Sequence, residues 1–204
     1  MYLSKVKLNW TQAKNPYEQH RALWQLFPDR PNDDRDFLYR VEQIVKGQGA
    51  SVILQSQQCP AETESVELLA AREVTFALYE GQMLRFRLRA NPVKAIKDER
   101  KGERIKNGKT FTRSVRVPLI HEEQQRTWLA RKLEGCASIQ ALNIQKELPL
   151  NFYKKRENRS GKVQPVLFDG VLMVENVNAF TELLSRGIGP AKSLGCGLLS
   201  LAPG

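Results

Sequence analysis

Apolar and polar positions alternate in short stretches along this chain, and turn residues break the stretches into a mixture of strands and helices. Residues 1–9 are strand-like. Asn15 is placed to cap a helix with Pro16 at its first position. Leu23, Leu26 and Phe27 follow as its apolar residues before Pro28 stops it. Phe37, Tyr39 and Val41 alternate with polar neighbours, and 50–55 is a second apolar run. Residues 65–71 are a helix candidate. Strand candidates at 74–79 and 83–90 then flank a turn at Gly81.

After a basic connector the pattern recurs. Residues 122–133 form a helix candidate carrying Trp128, Leu129 and Leu133, followed by strand-like 138–144 and 163–174, the latter interrupted at Asp169-Gly170. A helix at 179–186 and a closing strand at 198–201 complete it. The expectation is an α+β chain of two tandem ferredoxin-like (RRM-like) βαββαβ domains, residues 1–90 and 91–204.

Charge changes the picture next. The chain has 204 residues, 41% of them hydrophobic, so it can build a core, and its formal charge is +10. The surplus is confined to two segments. Residues 94–116 hold nine basic against three acidic side chains, and 154–162 hold five against one. Clustering of this kind favours a polyanionic partner, with a solvated loop as the alternative. The strand at 84–89 adds to it: Leu84, Phe86 and Leu88 point to one face and Arg85, Arg87 and Arg89 to the other. Three like charges in a row repel unless something anionic lies across them; a solvated edge strand is the other possibility.

The stretch from Gly187 to Gly197 is a glycine-rich loop bearing Lys192. It is not an ATP-binding P-loop, because Ala191 stands where glycine must precede the Lys-Ser pair, and the loop follows a helix and precedes a strand. A backbone cradle for polymer phosphates and an unliganded tight turn both remain open.

Few residues can do chemistry. The chain has two histidines, and Tyr17 and His20 share a helix face three residues apart, with Arg21 alongside. RNA is cleaved without a metal when a base takes the 2′-OH proton, an acid protonates the departing 5′-oxygen and cations hold the phosphorane. Tyr17, His20 and nearby lysines are the required types. A pair packing beside Leu23 or Trp24 would look the same in sequence. His121, before Glu122-Glu123, reads as a helix-start residue. Asp29, Asp33, Asp34 and Asp36 are interleaved with Arg30, Pro31 and Arg35 as in a turn, so no metal site is expected. The three cysteines are far apart and read as reduced thiols of a cytoplasmic protein with no signal peptide, membrane span or cofactor.

Several blocks together carry a resemblance. They are Met1-Tyr2-Leu3-Ser4-Lys5-Val6, His20-Arg21-Ala22-Leu23-Trp24-Gln25-Leu26-Phe27-Pro28, Phe86-Arg87-Leu88-Arg89-Ala90-Asn91-Pro92 and Val117-Pro118-Leu119-Ile120. Further blocks are Ser160-Gly161-Lys162-Val163-Gln164, Gly187-Ile188-Gly189-Pro190-Ala191-Lys192-Ser193 and 195–203. The chain resembles the CasE family of CRISPR endoribonucleases, the repeat-processing subunit of type I-E Cascade. The resemblance implies tandem ferredoxin-like domains and metal-independent cleavage of precursor CRISPR RNA at the 3′ base of the repeat hairpin. The products it implies are a 2′,3′-cyclic phosphate and a 5′-hydroxyl. The enzyme would keep the guide RNA's hairpin and join other Cascade subunits, a monomer when free. The family's catalytic histidine falls on His20 and the assisting tyrosine on Tyr17.

The expected RNA grip comprises Arg85, Arg87, Arg89, Lys94, Arg113, Arg116, Lys154, Lys155, Arg156, Lys162 and Lys192, acting through phosphates because RNA's deep major groove resists direct reading. Lys155 or Lys162 would offset phosphorane charge. A noncatalytic RNA-hairpin-binding module of the same fold is the alternative, and a structural subunit using its basic face only for assembly is a third.

Overall fold

The computed structural model of the protein describes residues 1–28, 36–106, 109–154 and 157–203. Two four-stranded antiparallel sheets carry the fold. The first contains β1 (Tyr2–Leu8), β2 (Leu38–Val45), β3 (Gly49–Ser56) and β4 (Val66–Glu73), in the order β2-β3-β1-β4. Between β1 and β2 lie the short helix α1 (Trp10–Ala13) and α2 (Pro16–Trp24). Ser4, Val6 and Leu8 point inward from β1 while Lys5 and Lys7 face solvent, the period-2 pattern of a half-buried strand. Leu23, Leu26, Phe27, Phe37, Tyr39, Val52 and Leu54 complete this core.

The second sheet contains β5 (Met83–Ala90), β10 (Ala137–Lys146), β13 (Val166–Val174) and β14 (Leu199–Pro203), in the order β10-β13-β5-β14. Helix α3 (Glu122–Leu133) follows β5, and α4 (Val177–Arg186) joins β13 to β14. Trp128, Leu129, Leu133, Phe168, Phe180 and Leu183 fill the second core against Leu84, Phe86 and Leu88 of β5. Both sheets have the strand order of the ferredoxin-like split βαβ fold. Three hairpin ladders project from this frame: β6 (Val93–Lys97) with β9 (Ser114–Pro118), β7 (Glu103–Lys106) with β8 (Lys109–Thr112), and β11 (Leu150–Lys154) with β12 (Arg159–Val163).

Several sequence expectations are corrected. The stretch 65–71 is strand, not helix. Val66 and Leu68 pack on the first core while Leu69 is exposed, and the open edge of β1 takes this segment as a partner. The first unit therefore has no helix before its last strand. An irregular crossover replaces it, held by a hydrogen bond from Ala61 N to Leu26 O (2.9 Å) and one from Ser65 Oγ to Gln25 Oε1 (2.7 Å). Residues 74–79 are not a strand, although Phe76 and Leu78 pack against the second core. Met83–Ala90, expected to end a first domain at residue 90, is a central strand of the second sheet, paired with both β13 and β14. We place the boundary between the units within 74–82. The run 163–174 is two strands, and β13 passes through Asp169-Gly170 unbroken. Gly170 is there for closeness: a Cβ on it would lie 2.1 Å from Ala141 O, beside the register shift in β10.

The two units meet in a polar seam. Gln55 Nε2 donates to Leu184 O at 2.9 Å, Tyr39 Oη to Ser193 O at 2.9 Å and Arg40 Nη1 to Arg87 O at 3.2 Å. Gln55 and Arg40 are buried, so losing a partner would cost desolvation as well as the bond. These contacts fix the helix that carries His20 relative to the glycine-rich loop.

Candidate RNA-processing site

Helix α2 begins as its sequence predicts, but its cap does more than stop fraying. Asn15 Oδ1 accepts from Tyr17 N at 3.1 Å, while its Nδ2 donates to Tyr153 O at 2.9 Å. One side chain thus caps the helix and anchors the basic β11–β12 hairpin to it. Lys154 Nζ lies 5.4 Å from the centroid of the Tyr17 ring, a cation–π contact at the same junction. Lys154 also donates to Glu157 Oε1 at 2.9 Å, and Tyr153 Oη donates to Asn158 Oδ1 at 2.7 Å.

His20 sits one turn along the helix from Tyr17, partly buried. Its ring stacks on Phe37 (centroids 5.7 Å apart, planes 27° apart) and tilts against Trp24 (6.0 Å). Phe37 in turn contacts Trp24 and Phe27. An apolar wall therefore orients the imidazole beside a cationic hairpin. Arg21 pairs with Glu18 at 3.0 Å, half exposed, a weak helix-surface contact.

The glycine-rich loop closes the other side. The short 3-10 helix Lys192–Leu194 packs against α2, and Lys192 Nζ donates to Arg186 O at 2.5 Å. The loop is shaped by contact. A Cβ on Gly187 would lie 2.6 Å from Leu38 Cδ1, and one on Gly189 would lie 2.8 Å from the Trp128 ring, both at positive φ. Ala191 itself adopts φ +64°, the left-handed conformation that glycine holds without strain.

The remaining expected RNA contacts divide. Lys94 and Arg116 are exposed on the β6–β9 ladder, Arg113 is exposed just before β9, and Lys162 is exposed on β12. Lys155 and Arg156 lie outside the described residues, as do Asp29, Asp33 and Asp34. The three arginines of β5 are answered by the protein itself. Arg85 Nε donates to Pro203 O (2.9 Å), Arg87 Nε to Asp169 Oδ1 (2.6 Å) and Arg89 Nε to Glu147 Oε2 (2.6 Å). Asp169 holds the Arg87 guanidinium above its ordinary pKa, first through that hydrogen bond and then through its charge. Arg89 is 12% exposed and ion-paired, so less of its guanidinium is open to a phosphate than those of Arg85 and Arg87. Arg131, Lys132 and Arg186 lie outside the two charge runs of the sequence. Only the packing of α3 and α4 beside the loop gathers them.

His121 is the N-cap of α3 without a side-chain cap bond. Among the described residues, no helix is long and apolar enough to cross a membrane.

Comparison with known proteins agrees with this architecture from end to end. The family model for "CRISPR associated protein" matches residues 1–203. The chain is 44% identical over 203 residues to the CRISPR system Cascade subunit CasE of Escherichia coli K12, covering all of both chains. The crystal structure of Cas6e from Escherichia coli K-12 superposes with a TM-score of 0.84 at 43% identity, with both chains fully covered. A structure of the CRISPR endoribonuclease Cse3 bound to 19-nt RNA matches at TM-score 0.78 and 32% identity, again over the whole of both chains. With its whole length matched in sequence and its two sheets matched in space, the chain belongs to the CasE family of CRISPR-associated proteins.

Proposed function

We propose that this protein is a metal-independent endoribonuclease that cuts precursor CRISPR RNA at the 3′ base of the repeat hairpin and then stays on the hairpin of the guide RNA within Cascade. The observation that carries the reading is the Asn15 link, which joins the helix bearing Tyr17 and His20 to the basic β11–β12 hairpin. A stem gripped by that hairpin is held in register with the two side chains able to move protons. The names of the relatives, a Cascade subunit and an RNA-bound endoribonuclease, support the same substrate.

In the proposed reaction the 2′-oxygen attacks the adjacent phosphorus, the P–O2′ bond forms and the P–O5′ bond breaks. The 2′-OH loses a proton and the 5′-oxygen gains one. His20 performs one of these transfers, and Tyr17 positions the 2′-oxygen for in-line attack. Lys154 sits beside Tyr17, and Lys154 with Lys162 offsets the charge of the phosphorane. Exposed Arg85, Arg87, Lys94, Arg113 and Arg116, with the partly buried Lys192, add phosphate contacts.

The test is product chemistry. Repeat RNA incubated with the protein in excess EDTA should give a fragment ending in a 2′,3′-cyclic phosphate, resistant to phosphatase until the ring is opened by acid. A requirement for added divalent ion, or a 3′-hydroxyl product, would refute the mechanism. Binding without cleavage would leave a noncatalytic hairpin-binding module.

A further inference from the structure

We propose that a cleft on the helical side of the second unit seats the backbone of single-stranded RNA leaving the base of the hairpin; this rests on the RNA-processing reading above. The cleft measures about 780 Å³ and lies between the β6–β9 ladder, the end of α3 and the loop after α4. Arg116 enters it from β9, Arg131 and Lys132 from the last turn of α3, Arg186 from the last turn of α4 and Lys192 from the 3-10 turn. Its described lining contains no Asp or Glu.

Part of this charge has a local use. Arg131, Lys132 and Arg186 sit at helix C-termini, where cations offset the dipole. Two helix ends supply only about half a negative charge each, so five cations leave a surplus of about four. Glu182 approaches Arg186 at 3.7 Å, but that pair is 64% and 74% exposed and neutralises little. Charge gathered from four separate elements without a carboxylate among the lining residues suits a polyanion better than a protein surface of mixed sign.

A cleft walled by the β6–β9 ladder, the end of α3 and the loop after α4 suits one flexible strand better than an A-form stem, which presents two strands across a broad, shallow groove. Trp128, the one aromatic residue in the lining, is 3% exposed, so no stacking platform is offered. Recognition here is of phosphates and tolerates any sequence. Position ties the cleft to the reaction. The Lys192–Leu194 turn at its edge packs on α2, and Ser193 O takes the Tyr39 hydroxyl two residues from Phe37, which stacks on His20. These contacts join the edge of the cleft to the helix that carries His20.

The experiment compares dissociation constants for three RNAs blocked by 2′-deoxy substitution at the cleaved nucleotide: the bare repeat hairpin, the hairpin with a 5′ oligo(U) leg, and the hairpin with a 3′ oligo(U) leg. Wild type should bind one legged RNA about tenfold more tightly than the bare hairpin, and which leg gives the gain identifies the strand. In Arg131→Gln/Lys132→Gln/Arg186→Gln that ratio should fall to within about twofold, and the log–log salt slope for the legged RNA should drop by about 2, or 0.7 per phosphate contact. The charge-keeping Arg131→Lys/Arg186→Lys should retain the gain. The single variants Arg131→Gln and Arg186→Gln give the same readout if the triple variant melts early. No gain from either leg in wild type, or a gain that survives charge removal, overturns the proposal. Failure of wild type to bind the bare hairpin would instead remove the RNA-processing reading itself.

Discussion

Arg87 and Asp169 face each other across the β5–β13 ladder, with Nε donating to Oδ1 at 2.6 Å. The alternation that aims three arginines at one face of β5 also aims an acidic residue at the middle one. Arg89 is answered from elsewhere: its ladder partner is Leu167, and the carboxylate comes from Glu147, just past the end of β10. The repulsion expected in sequence is thus relieved within the chain. Arg87→Gln should cost less than about 1 kcal/mol, since the pair is half exposed on the arginine side. Arg89→Gln should cost about 1–3 kcal/mol because it breaks an ion pair whose arginine is largely buried and leaves a partly buried carboxylate short of its partner. Chemical denaturation checks both. An Arg89 variant of normal stability that loses RNA affinity would place that residue at the RNA surface instead.

The Asn15 link separates two effects. Asn15→Ala should destabilise the protein by about 1 kcal/mol through the lost cap. Asn15→Asp keeps an acceptor for the helix and suits its dipole, but sets a carboxylate against Tyr153 O. Near-normal melting of Asn15→Asp with slower single-turnover cleavage is the expected pair of results. Unchanged cleavage would mean that the hairpin needs no anchor on α2.

Opposite substitutions in the glycine loop should act in opposite directions. Gly189→Ala puts a methyl 2.8 Å from the Trp128 ring at φ +78° and should cost at least about 1–3 kcal/mol. Ala191→Gly relieves φ +64°, at the expense of backbone entropy, and should be neutral or gain up to about 1 kcal/mol. Thermal melts of the two variants decide it.

Burial pushes the Cys196 thiol from its ordinary 9.0 up to about 12, whereas Cys59 is exposed. Between those two values the unfolded chain ionises this thiol and the fold does not. The unfolded state then binds fewer protons, and the thiol's contribution to stability falls as pH rises through that window. At pH 8, Cys59 should react rapidly with a disulfide reagent, and Cys196 only on unfolding. Fast native labelling of Cys196 would contradict its burial.

Much of the fold was legible in the sequence because local signals agreed with tertiary demands. Asn15-Pro16 starts α2, Glu122–Leu133 is a helix over its whole expected length, and the Leu84-Phe86-Leu88 face is buried. The misreadings have one kind of cause. Val66 and Leu68 carry too short a pattern to separate helix from strand, and only the unpaired edge of β1 decides between them. The membership of β5 in the second sheet is set by long-range pairing with Phe168 and Leu199, which no local pattern reports. At the site, Tyr17 and His20 stood out as residue types. The dual role of Asn15 and the convergence of Arg131, Lys132 and Arg186 required three dimensions.

The most direct measurement compares wild type and His20→Ala on repeat RNA in EDTA, scoring binding and single-turnover cleavage together. The account predicts equal binding and a loss of about 10²–10⁴-fold or more in rate for the variant. Cleavage by His20→Ala at the wild-type rate, with the fold intact, would contradict it and leave the imidazole as packing against Phe37 and Trp24.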